Sequence, residues 1–183
     1  MSSKRVVAFA HDALLLVRGG RKRMLRLPAT VALRYCVGDK LRGLEAFRIA
    51  ARSWRIFQDG LLEVDYRAGG SQRFGLGFEA ARSLVCCAGQ SWHPAVLMDE
   101  WASRYRITIL EIRREPLASI TPEDVCAEGC AGLEDFYALW DRCHAQDGAS
   151  VDTNPLVWAV RFDYEPVGAS DPAVEYDSEV HYE

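Results

Sequence analysis

In residues 104–114, RYRITILEIRR, polar and apolar side chains alternate from Arg104 through Ile109. Such a period-two pattern fits a β-strand with one buried face, and a strand this long needs a sheet around it. The alternation predicts Tyr105, Ile107, Ile109 and Glu111 on one face, with Arg106, Thr108, Leu110 and Ile112 on the other. Further extended segments are predicted at 5–9 (RVVAF), 23–27, 40–57, 61–66 (LLEVDY) and 156–164 (LVWAVRFDY). GDK at 38–40 reads as a turn.

Helical signals are fewer and shorter. Residues 11–18 (HDALLLVR) are closed by Gly19-Gly20, a common C-terminal stop. Residues 121–129 open with Thr121 as cap, Pro122 at the first position and acids in the first turn. Residues 133–145 repeat apolar side chains at 133, 136, 139, 140 and 143, one face of a helix. The glycine-punctuated stretch 71–89 carries no assignable period, and its GLGFEA lacks both the third glycine and the helix-opening context of a nucleotide loop. No βαβ rhythm is present. The expected class is mostly β or α+β, a small β-barrel with two or three short helices packed on it.

Charge divides the chain. The formal net charge is −4, yet residues 165–183 carry six acids and no Lys or Arg. Without them, 22 basic side chains face 20 acidic ones. The sequence therefore predicts a domain over 1–164 and an acidic, disordered tail over 165–183. No run of about eighteen apolar residues exists, so no membrane span is expected and the chain is read as cytoplasmic. Its six cysteines lack disulfide spacing and read as small buried thiols. A zinc site from Cys126, Cys130, Cys143 and His144 has looser spacing than structural zinc sites use, so no metal is expected. His11 and His93 read as surface histidines, and His144 as a cation favoured at a helix end.

Against that background one stretch stands out. RGGRKRMLR, 18–26, gathers Arg18, Arg21, Lys22, Arg23 and Arg26 around a double glycine. It reads either as a solvated turn or as an anion-binding edge.

The phrases VGDKLRGLEAF (37–47), DYRAGG (65–70), HPAVLMDEWASRYRITILEIRREPLASITPEDVCAEG (93–129), FYALWD (136–141) and NPLVWAVRF (154–162), taken in order, resemble the ASCH-domain proteins of bacteriophages and prophages. The resemblance spans about residues 5–164 and implies a PUA-like barrel. It aligns Gly20-Arg21-Lys22 with the family's G-R-K turn and Glu128 with the glutamate of its A-x-A-E-G helix. In the family's amidohydrolases, which deacetylate acylated cytidine, such a lysine and glutamate act with a threonine three residues after the lysine. Here that position is Leu25, which cannot be a nucleophile. A family histidine is replaced by Leu97, and a proline-arginine pair by Asp99-Glu100.

The resemblance and the charge pattern together imply a cleft between the 18–26 turn and the 121–129 helix that binds RNA, DNA or a modified nucleoside without a cofactor. Candidate ligand-binding residues are Arg18, Arg21, Lys22, Arg23, Arg26, Glu45, Trp92, Trp101 and Arg104, with Trp92 or Trp101 able to stack a base. Two alternatives are a hydrolase acting on acylated cytidine or RNA through Lys22 and Glu128, and a non-catalytic interaction protein. Lys22 and Glu128 also suit a plain salt bridge. The five tryptophans are otherwise read as mostly core, and the tail as a solubilising appendage or a phosphate mimic for the cleft.

Overall fold

The computed structural model of the chain describes residues 6–167; the predicted tail lies outside them from residue 168 onward. Among the described residues eight strands form two sheets: β1 (Val6–Ala8), β2 (Met24–Pro28), β3 (Lys40–Leu44), β4 (Phe47–Ile49), β5 (Leu61–Tyr66), β6 (Ser71–Gly75), β7 (Tyr105–Pro116) and β8 (Leu156–Pro166). The larger sheet has the order β1-β3-β7-β8-β2 and the smaller β4-β5-β6. Four short helices, α1 (His11–Arg18), α2 (Phe78–Val85), α3 (Pro122–Ala127) and α4 (Leu133–His144), complete a mixed α+β fold. The class is the expected one. The larger sheet is open rather than closed, with β1 and β2 as its edges.

Neighbouring strands are antiparallel except β1 and β3, which pair in parallel from Val6 opposite Arg42 to Ala8 opposite Leu44. Parallel pairing requires a crossover, supplied here by α1 and β2. The sequence pattern concealed this because the crossover helix and strand precede β3 without a second helix.

The long strand departs from simple alternation at one point. The pairing of β7 with β8 shifts register between Ile109 and Glu111, and Leu110 is half-exposed at the bulge. Tyr105, Ile107 and Ile109 face the core as predicted, but after the bulge Ile112 takes the core-facing place and Glu111 leaves it. One inserted residue flips every later side chain to the other face. Arg113 and Glu115 are thereby turned toward α3, where both make ion pairs.

Cross-strand pairing then sorts the larger sheet into two faces. Leu25, Val160 and Ile112 lie in one row and pack with Val7, Phe9, Leu14 and Val17. Arg26, Ala159 and Arg113 lie in the adjacent row on the opposite face. That face also carries Val157, which packs with Val125, Phe136 and Trp140 of α3 and α4.

Other expectations need correction. Only 40–44 and 47–49 of the 40–57 segment are strand; Ala51–Arg55 and Phe57–Asp59 are 3-10 turns. Ser53 holds the first turn by bonding both the amide and the carbonyl of Glu63, at 3.0 and 3.1 Å. Stretch 71–89 contains β6 and α2, so a helix does open after Gly77. β8 runs through Pro166, and Glu165 pairs with Arg106, which places the first tail residues in the sheet. Trp54 is 55% exposed rather than core. Cys36, Cys86, Cys126 and Cys143 are exposed thiols, not buried ones. His144 lies 4.4 Å from the Trp140 ring, and burial lowers its pKa, so the neutral ring is favoured where a cation was expected. His93 pairs its backbone with Phe47 and sets its ring 5.3 Å away, half-buried.

Candidate functional site

The five cations of 18–26 do not form one surface. β2 alternates, so Met24, Arg26 and Pro28 are buried while Leu25 and Leu27 belong to the other face. Lys22 and Arg26 are buried at 5% and 3% exposure.

Lys22 Nζ contacts the Glu128 carboxylate and donates to the Glu128 carbonyl at 3.2 Å. The structure thus brings together two residues 106 positions apart. They are not alone. Arg26 donates to Glu128 Oε1 at 3.3 Å, to Glu115 at 2.9 Å and to Asp124 Oδ2 at 2.6 Å. Arg113 reaches the same Asp124 oxygen at 2.6 Å and Glu115 at 3.2 Å. Lys22, Arg26 and Arg113 therefore meet Glu115, Asp124 and Glu128 in one network between the sheet and α3, with Glu111 at its edge 3.6 Å from Arg113. Arg26 Nε is the only buried side-chain polar atom without a hydrogen-bond partner among the described residues. α3 supplies its share through a capped start: Thr121 Oγ1 accepts from the Asp124 amide at 3.2 Å, fixing Asp124 in the first turn.

Leu25, at the family's nucleophile position, is half-buried and packs against the core on the sheet face opposite Arg26 and its network. Arg113, Glu115 and Asp124 were missed by sequence reasoning, since acids in a helix's first turn and an arginine on a strand read as solvated.

The remaining cations diverge. Arg23 pairs with Asp163 and lies 4.5 Å from the Tyr164 ring. Arg18 donates to the carbonyls of Ala68 and Gly69. Arg21 is exposed at the lip of an open recess of about 550 Å³ whose lining includes Gly20, Cys126, Gly129, Cys130 and Asp135. This recess lies between the turn and the C-terminal end of α3. Burial raises the pKa of the Cys130 thiol, leaving it protonated and a poor nucleophile. Lys22 and Glu128 sit next in sequence to lining residues but do not themselves line the recess.

Glu45 and Arg104 form a second group. Arg104 grips the buried Glu45 carboxylate through two bonds of 2.6 and 2.8 Å, donates to Gly69 carbonyl at 2.9 Å and lies 3.9 Å from the Tyr66 ring centroid. Burial pushes the Tyr66 hydroxyl pKa well up, and its O–H donates to Ala102 carbonyl at 2.8 Å. Arg18 and Arg104 thus share Gly69 as acceptor. Trp101 packs edge-on against Phe74, and Trp92 has the Arg48 guanidinium 4.7 Å from its ring centroid. Neither tryptophan lines the recess.

Among the described residues no group of three or more His, Cys, Asp or Glu side chains is placed to hold a metal ion, and no helix is long and apolar enough to cross a membrane. No protein-family model and no curated protein matches the sequence. Among solved structures, the chain is similar to a protein of Enterococcus faecalis described by the family model DUF984, with a TM-score of 0.48 and 12% identity over 100% of this chain and 88% of that one. It is also similar to an ASCH domain from Lactobacillus crispatus, with a TM-score of 0.42 and 12% identity over 85% of this chain and 71% of that one.

Proposed function

We propose that the chain binds a nucleic acid or a modified nucleoside in the recess between the 18–22 turn and α3. The observation that carries this reading is Arg21, an exposed guanidinium at the lip of that recess with Asp135 elsewhere on its lining. A cation suited to a phosphate and a carboxylate able to accept from a base amine then line one concave surface. The resemblance to ASCH-domain proteins aligns Gly20 and Arg21 on one wall, and its 93–129 phrase includes Cys126 and Gly129 on the other. The same resemblance supports treating the chain as a phage-type member of that group. Lys22, Arg26 and Glu128 act in this reading as the charged support behind the recess.

The test is a panel of modified nucleosides, mononucleotides and short oligonucleotides, measuring both retention and product. Arg21→Ala should weaken mononucleotide binding roughly tenfold, the loss of one charge-assisted hydrogen bond. Unchanged binding in that variant would sink the reading.

A hydrolase is favoured by one observation, the direct Lys22–Glu128 contact, which is a pair able to exchange a proton. Its burial and the apolar Leu25 oppose it. Product formation by the wild type that is abolished in Lys22→Met would decide for it.

A further inference from the structure

Trp54, Phe57 and Phe78 form a row of rings beside the smaller sheet. Trp54 meets Phe57 edge-on at 6.0 Å between centroids, and Phe57 lies nearly parallel to Phe78 at 6.2 Å and 23°. Trp54 and Phe78 are 55% and 45% exposed. The row is built into the backbone. Gly60, which follows Phe57–Asp59, abuts Gly77, which precedes Phe78, so closely that a Cβ on Gly60 would lie 3.0 Å from Gly77 Cα. Both glycines have positive φ, and Leu76 donates to Gly60 carbonyl at 2.9 Å. The two ring-bearing segments are therefore fixed relative to each other before any partner arrives.

Guanidiniums accompany the rings. Arg52 and Arg55 flank Trp54 in sequence, and Arg82 lies one helical turn beyond Phe78 on the exposed side of α2. Arg52 is held by Glu63 and Asp65, at 2.8 and 2.9 Å. Arg55 and Arg82 are exposed and make no ion pair among the described residues; Asp59 and Glu79 are the exposed carboxylates of the same segments. Rings open to solvent and interspersed with cations suit alternating bases and phosphates better than an apolar peptide, which needs a closed groove.

We propose that this row is a stacking platform for single-stranded polynucleotide, with bases on Trp54 and Phe78 and phosphates on Arg55 and Arg82. The choice of a polynucleotide rests in part on the reading of the recess, but the platform is a separate surface and is tested separately.

The test uses the full chain with labelled dodecamers of thymidylate and uridylate, followed by fluorescence anisotropy, and with cytidine and guanosine monophosphates. Trp54→Ala and Phe78→Ala should each weaken dodecamer binding about tenfold and leave mononucleotide binding unchanged. Arg55→Glu with Arg82→Glu should weaken it similarly and flatten its salt dependence. Because these side chains are exposed, circular dichroism should match the wild type. Dodecamer binding that is absent in the wild type, or as tight in both ring variants as in the wild type, overturns the platform. So does an effect of the ring variants confined to self-association in sedimentation, which would make the row a contact between copies. Loss of mononucleotide binding in Arg21→Ala alone supports the recess without touching the platform; its persistence refutes the recess and leaves the dodecamer result to stand by itself.

Discussion

Arg26 and Arg113, on strands separated by β8, both donate to one oxygen of Asp124, each at 2.6 Å. With the Asp124 side chain 4% exposed, that oxygen balances two guanidiniums in a poorly solvated space. Asp124→Asn should therefore destabilise the fold by about 1–3 kcal/mol, the loss of one buried charged acceptor from two guanidiniums that keep Glu115 and Glu128 as partners. Arg23→Ala, which breaks the exposed pair with Asp163, should cost less than about 1 kcal/mol. Urea unfolding at neutral pH separates the two.

The Leu110 bulge makes a sharper prediction. Leu110→Ser should change stability by no more than about 0.5 kcal/mol, because the side chain is half-exposed. Deleting Leu110 should also leave the protein able to fold, since Ile109, Glu111 and Ile112 already lie opposite Phe162, Arg161 and Val160 and the ladder closes over the missing residue with every later side chain on its present face. Soluble yield and thermal unfolding of the two variants provide the comparison.

Leu25→Thr restores the family's residue type without restoring its chemistry. The hydroxyl would lie against Val160 and Ile112, across the sheet from the Lys22–Glu128 network. The expected result is no release of acetate from acylated cytidine, together with about 1–3 kcal/mol of destabilisation from an added buried hydroxyl. Turnover in this variant would show that the strand faces are assigned wrongly.

Acid stability should depend on Glu63. Its pKa is lowered to about 2, chiefly by the bond from Arg52, with burial opposing and Arg73 assisting. A folded-state pKa below the unfolded value of 4.5 means its contribution is present above pH 4.5 and is lost as the pH falls toward 2. Glu63→Gln should be less stable at neutral pH and show a shallower loss over that window, as read from unfolding midpoints.

Much of the frame was legible in the sequence. The 104–109 alternation, the Thr121 cap with Pro122, and the spacing of Phe136 and Trp140 each correspond to the element they suggested. The bulge was not legible, because Leu110 and Ile112 are both apolar and either parity satisfies a hydrophobicity pattern. Nor was the burial of Arg26. An arginine inside a basic run reads as solvated, and its carboxylate partners lie 89 to 102 residues away, where only the fold brings them near. α2 was hidden by Gly75 and Gly77, which punctuate its approach. Trp54 misled for the opposite reason, since large aromatic residues are usually read as interior.

The two sides of the recess are stitched together along their length. Arg23 amide donates to Ala127 carbonyl at 2.6 Å, Lys22 reaches Glu128 carbonyl, and Gly129 sits against Leu16. These contacts tie the 18–22 turn to the end of α3. If the recess binds a ligand as proposed, that ligand meets walls already joined to each other, and little of the binding energy is spent on ordering them.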